Sequence, residues 1–166
     1  MNHIALGTTS GAIGTLAMTV SMVSLPRIFS LHQPKSLPPT QVTKGVVEKV
    51  HAWQPLPQIS KFLMTTTLHF TYGSAQGVAY VFLAKKRLKN MAMALPLGVA
   101  YGACLWLAGY FVVTPRLRLT PPEHQQPEGH IVRNFVSHLV WGGVTAAAAN
   151  LLSRNSGSSS SRRWPV

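Results

Sequence analysis

Four stretches of this 166-residue chain, 4–25, 62–84, 91–113 and 134–152, contain no lysine, arginine, aspartate or glutamate. Each is about the 20 residues that a helix rising 1.5 Å per residue needs to cross roughly 30 Å of hydrocarbon. The stretches predict an all-α polytopic membrane protein with four transmembrane helices. Mean hydropathy is only +0.18, because the polar residues are gathered between the apolar runs instead of alternating with them. The N-terminal Met1-Asn2-His3 lacks the basic residues of a signal peptide, and the run behind it is too long for one. It reads as a retained first helix, ended by Pro26 because proline cannot continue the hydrogen-bond ladder.

The connections are uneven. Between the first two spans lies a long polar segment in which Pro34, Pro38 and Pro39 enforce extended backbone. After them, 40–53 reads as a short helix begun by Thr40. Val42, Val46, Val47, Val50 and Trp53 form its apolar stripe, and Lys44, Glu48 and Lys49 its polar side. Such a helix lies in the membrane interface or packs on the ends of the bundle, and the sequence favours neither. Spans two and three are joined by Lys85-Lys86-Arg87-Leu88-Lys89-Asn90, short enough to make them antiparallel neighbours. Residues 1–152 thus form one four-helix transmembrane domain, and 153–166 a Ser-rich basic tail with no assigned structure.

Charge narrows the function. Fifteen Lys and Arg face three acids, Glu48, Glu123 and Glu128, all in the connections. The basic residues flank apolar spans rather than lining a helix face, so anionic lipid headgroups are the natural counter-charge and nucleic acid is not expected. Paired-carboxylate chemistry and acid-dependent ion pumping have no residues to use within the spans. Cys104 is the single cysteine and reads as a small apolar packing group. No nucleophile elbow or phosphate loop occurs, so no catalytic residue and no enzymatic activity are expected. One face carries the N-terminus and seven basic residues, four of them in the compact Lys85–Lys89 loop. The other carries eight basic residues diluted by all three glutamates. The compact loop weighs more, placing both termini in the cytoplasm.

The chain reads as a tandem duplication. Leu25-Pro26-Arg27-Ile28, Pro38-Pro39 and His69-x-x-Tyr72-Gly73 recur in order as Thr114-Pro115-Arg116-Leu117, Pro121-Pro122 and His138-x-x-Trp141-Gly142. Each copy crosses twice, giving two like-facing hairpins related by an axis along the membrane normal. Small residues spaced by four mark every span: Gly7 and Gly11, Gly73 and Gly77, Gly98 and Gly102, and Gly142 and Gly143 with Ala146 and Ala147. Lipid gives no hydrophobic drive between helices, so these faces are the expected packing surfaces.

His69 and His138 share those faces, since residues four apart align on a helix. They lie roughly 12 and 8 Å below the Lys61 and Arg133 ends of their spans. A histidine in hydrocarbon needs a partner, and three readings stay open. Each imidazole could hydrogen-bond a neighbour and lock the bundle. The pair could ligate haem or a metal, although only two ligands are evident. Or it could handle protons or a small solute, with Gln76, Ser137 and Asn150 as further polar groups in the spans. Tyr72 and Trp141 complete the candidate site, as packing aromatics or as its walls. His32, His51, His124 and His130 match no metal-binding spacing and read as solvated loop residues.

Gly14-Thr15-Leu16-Ala17-Met18-Thr19, the Pro-Pro turns and the His-x-x-aromatic-Gly openings resemble the small YagU-like uncharacterised bacterial inner-membrane proteins. The resemblance covers most of 4–152. It implies a polytopic protein of the bacterial inner membrane with no established activity. The leading expectation is a non-enzymatic accessory, scaffold or assembly subunit that meets other membrane subunits or copies of itself. The alternatives are a His-ligated haem or metal protein and a small transporter or pH-responsive element.

Overall fold

The computed structural model describes residues 1–28, 37–120 and 128–158. Pro34, His32, the Pro121-Pro122 pair, Glu123, His124 and the end of the tail lie outside them. Among the described residues the fold is all-helical, with no strand: α1 (His3–Ile28), α2 (Pro38–Glu48), α3 (Gln58–Ala84), α4 (Met91–Leu107) and α5 (Glu128–Ser158). A π-helical segment, Ala108–Val113, and one α-turn, Thr114–Arg116, continue α4.

Local chemistry sets several ends. Asn2 caps α1 by accepting from the Ala5 N–H at 2.7 Å, and Asn90 caps α4 by accepting from Ala92 at 3.0 Å. Two helix ends are closed by non-glycine residues in left-handed backbone. His51 (φ 54°) follows α2 with Ala52 N–H donating to Val47 O, and Arg118 (φ 49°) follows α4 with Leu119 N–H donating to Thr114 O. Both have the six-to-one bond of a Schellman motif, which satisfies carbonyls the helix leaves open.

Some boundaries differ from the expected ones. Pro26 does not end α1, which runs on to Ile28. A proline in the last turn forfeits only one backbone bond while its φ stays helical. Thr40 does not cap α2, whose N-cap is Leu37 with proline in the first turn. Because α2 ends at Glu48, Val50 is exposed and Trp53 is buried outside the helix, under Lys61 Nζ at 5.5 Å from the ring. The buried face of α2 is Pro38, Thr43 and Val47. α5 begins before 134 and runs beyond 152, absorbing 153–158 of the expected tail.

Backbone proximity decides the packing. A Cβ at Gly7 would collide with the Val78 backbone, and one at Gly11 with Gly73 and Gly77, so α1 and α3 cross antiparallel in intimate contact. Gly98 and Gly102 meet Gly142 and the His138 carbonyl in the same way, joining α4 to α5. Gly14 presses on the Trp141 carbonyl and joins α1 to α5. The helices therefore run in the order α3, α1, α5, α4. Gly143 does not take part, since a Cβ there would find only ordinary contact with Val99 and Leu95. Although α3 and α4 share the shortest connection, they touch little. They meet near their turn, where Tyr80 OH donates to Ala94 O at 2.8 Å and Tyr101 OH to Gln76 Oε1 at 2.7 Å.

The polarity of the bundle is inverted relative to a water-soluble one. Ser10, Thr15, Ser137, Thr145 and Asn150 are fully buried, while Ile4, Leu16, Val20, Phe62, Leu83 and Phe111 are exposed. Cys104 is exposed rather than packed inside. Three segments, His3–Arg27, Met91–Arg116 and Gly129–Asn155, are long and apolar enough to cross a membrane. The α3–α4 turn and the end of α5 share one end of the bundle, where Asn150 Nδ2 donates to Leu88 O and Arg154 to Lys89 O. The His3 ring lies against Phe82 at that same end, tilted by 38° with centroids 5.9 Å apart.

Candidate functional site

Away from the turn that joins them, α3 and α4 diverge, and the gap is a cavity of about 420 Å³. Its volume falls in the range of roughly 300–1,000 Å³ typical of small-molecule sites. α1 and α5 supply Thr15, Met18, Met22 and Trp141, α3 supplies Leu68 to Gln76, and the end of α4 supplies Leu105 to Val113. α2 closes the outer end with Pro38, Pro39 and Thr43, helped by Leu119. That cover is held down by backbone contact, because Gly45 of α2 lies directly against Leu119.

All five residues singled out as a candidate site, His69, Tyr72, Gln76, His138 and Trp141, line this one cavity. Their roles differ. Trp141 is buried, with its indole Nε1–H donating to Thr15 Oγ1 at 3.2 Å, and Thr15 in turn donates to Gly11 O at 2.8 Å. Gln76 is engaged by Tyr101. Tyr72 is more than half exposed and forms the outer rim on α3. His138 Nδ1 lies 2.8 Å from Asn134 O. A carbonyl can only accept, so Nδ1 carries the proton and Nε2 keeps its lone pair. His69 Nε2 is buried and has no hydrogen-bond partner among the described residues. The imidazoles are thus not locked into each other. One is fixed as an acceptor at Nε2, and the other has an unsatisfied ring nitrogen.

The other polar groups expected to assist the pair lie elsewhere. Ser137 is fully buried between helices, receiving a bond from Ser21 Oγ at 2.8 Å. Asn150 is at the opposite end, on the Leu88 carbonyl. His51 is exposed, as a loop residue should be. His130 is not a solvated loop residue. It stands in the first turn of α5, is 2 % exposed and lines the cavity, with its Nδ1 3.1 Å from Arg133 Nη2. The sequence reading placed His130 among the loop histidines and Arg133 at the end of the span, because α5 was expected to begin at 134. The i, i+3 spacing of two basic side chains was the signal available. Asn134, 8 % exposed, also lines the cavity, with its Oδ1 unpartnered. Among the described residues no three His, Cys, Asp or Glu side chains converge as a metal site would require.

No curated protein and no solved structure matches the chain. Residues 30–147 match the family described as "Protein of unknown function (DUF1440)". That match takes in α2, α3, α4 and most of α5, hence nearly the whole wall of the cavity, and the chain belongs to this family.

Proposed function

We propose that this protein is a four-span membrane protein that binds a small lipid-soluble molecule in the cavity between α3, α4 and α5, without chemistry of its own. The observation that carries the reading is the cavity itself: its walls are mostly apolar, and His69 and Asn134, each with a buried polar atom that has no partner among the described residues, are among the residues that line it. A buried polar atom without a partner is unfavourable, and a ligand that supplies the partner removes the penalty. Entry from the bilayer is built in. Gly109, Tyr110 and Val113 of the π-helical segment line the cavity, while Phe111 and Val112 beside them face outward. Such segments often sit at functional sites.

The fourth crossing is α3. It matches α1 in length and packs along it, and it turns Phe62, Leu63, Leu68, Phe82 and Leu83 outward. The tandem-hairpin origin is supported by equivalent glycine contacts in the α1–α3 and α4–α5 pairs. The α1–α5 contact has no α4–α3 counterpart, so the present packing is less symmetric than the sequence pattern. Kinship with the YagU-like proteins, a bacterial inner-membrane location, cytoplasmic termini and anionic lipids at the basic end all belong to this proposal. So does an accessory or assembly role, in which the chain presents its bound molecule to other membrane subunits or a second copy.

The test uses Gly109, which lines the cavity and has open space where a side chain would go. Gly109→Leu adds bulk at a lining position that is free of helix contacts. Native mass spectrometry of the purified protein is expected to show a retained small molecule in the wild type and none in Gly109→Leu. Equal retention by both proteins removes the reading.

A second reading has its own support. His138 donates Nδ1–H to a backbone carbonyl, as metal-bound histidines usually do, and His69, whose Nε2 has no partner among the described residues, lines the same cavity. A haem between them would give a Soret band lost in both His69→Ala and His138→Ala. Its absence after reconstitution with haemin sets this reading aside.

A further inference from the structure

We infer that the molecule taken by this cavity is a single-chain amphiphile with an anionic head, carboxylate or phosphate monoester, held by His130 with Arg133 behind it. The inference rests on the ligand-binding reading and supplies its ligand class. Arg133 is 3 % exposed, and its Nη2 donates to a neutral acceptor, His130 Nδ1, at 3.1 Å. Its Nε has no partner among the described side chains, and Glu48, the one acid whose side chain is described, does not pair with it. A guanidinium does not give up its proton, and a buried charge without a counter-charge is strongly unfavourable. An anion brought into the cavity would supply a counter-charge and remove that cost.

His130 shows from which direction. Because it accepts at Nδ1, its proton sits on Nε2, so the ring that lines the cavity has a donor to offer, polarised by the cation behind it. Asn134 lies one turn further along α5, lines the same end, and can present either face of its amide by a half-turn. These groups occupy the first turns of α5, at the headgroup end of the span. Beyond them the cavity is walled by Met18, Met22 and Leu105, which suit an alkyl chain. An anionic head at the outer end and a tail running inward match that order of chemistry. Electrostatics at the start of a helix also favour a negative group there.

Trp106 and Trp141 line the cavity and report occupancy. The full-length protein in phosphatidylcholine nanodiscs is titrated with 9,10-dibromostearate, a lysophosphatidate carrying the same chain, and 9,10-dibromostearyl alcohol. Bromine quenches tryptophan on contact. At least one acid is expected to bind about 10- to 100-fold more tightly than the alcohol, the range for a charge-assisted hydrogen bond. The preferred acid identifies the source as fatty acid or phospholipid product. Arg133→Gln is expected to bring acid and alcohol within about threefold of each other, with alcohol binding intact. Should that variant not fold, His130→Gln makes the same test. Gly109→Leu is expected to lose all three probes. Equal binding of acids and alcohol by the wild type, or an acid preference that survives the substitution, overturns this inference and leaves the cavity reading standing. Binding of none of the three overturns both.

Discussion

Gly142 and Gly143 are adjacent on α5, yet a methyl group means different things at each. At Gly142 it would strike the Gly98 backbone across the α4–α5 crossing, whereas at Gly143 it would meet only Val99 and Leu95 at 3.6 and 3.8 Å. Gly142→Ala is expected to destabilise by about 1–3 kcal/mol, as overpacking does. Gly143→Ala should be neutral or stabilise by up to about 1 kcal/mol, because alanine is the better helix former. Thermal unfolding of the two variants in one detergent checks the pair, and similar losses from both would contradict the packing. The histidines show the same dependence on place. His69 and His138 open matching His-x-x-aromatic-Gly motifs, but among the described residues it is His138 that has a carbonyl partner, from its own helix one turn back. His130, which looked like a loop residue, is among the most buried polar groups of the chain.

At the scale of elements, the helix ends carry most of the local decisions. His51 and Arg118 adopt left-handed backbone, where a Cβ is penalised by roughly 1–2 kcal/mol. Both positions follow a Schellman pattern that glycine would fit without strain. Arg118→Gly is therefore expected to raise the unfolding temperature in detergent by about 2–4 °C. A lower temperature would mean that the arginine side chain matters more than the backbone. The end of α4 is less regular. Pro115 has no N–H to donate, Thr114 N–H reaches back five residues to Gly109 O, and the turn widens into the π-helical segment beside the cavity. The widened turn places Gly109 and Tyr110 on the cavity, and an α-helix of the same sequence would turn them elsewhere.

Across the whole molecule, the α3–α4 turn, His3 and the end of α5 lie at one end of the bundle, and α2 and the cavity mouth at the other. With Cys104 replaced by serine, single cysteines at Met1 and Ser153 are expected to react with an impermeant maleimide from the same side of the membrane, and one at Lys44 from the opposite side. A Met1 and Ser153 pair on opposite sides would sink the four-span arrangement. Much of this was legible in the chain. Apolar length and the placement of charge are local properties, so 4–25, 91–113 and 134–152 announced helices fit for hydrocarbon, and the four-residue spacing of Gly7, Gly11, Gly73 and Gly77 announced close faces. Which face meets which is not local. That α1 lies between α3 and α5, that α3 and α4 part below their short turn, and that Gly45 seals α2 onto Leu119 all depend on backbones meeting across long separations. The cavity is the space left when glycine pairs draw two helix pairs together and nothing draws the outer helices to each other. For that reason five candidate residues could be named from the sequence, while the burial of Arg133 and His130 against each other beside the cavity was decided by the tertiary structure.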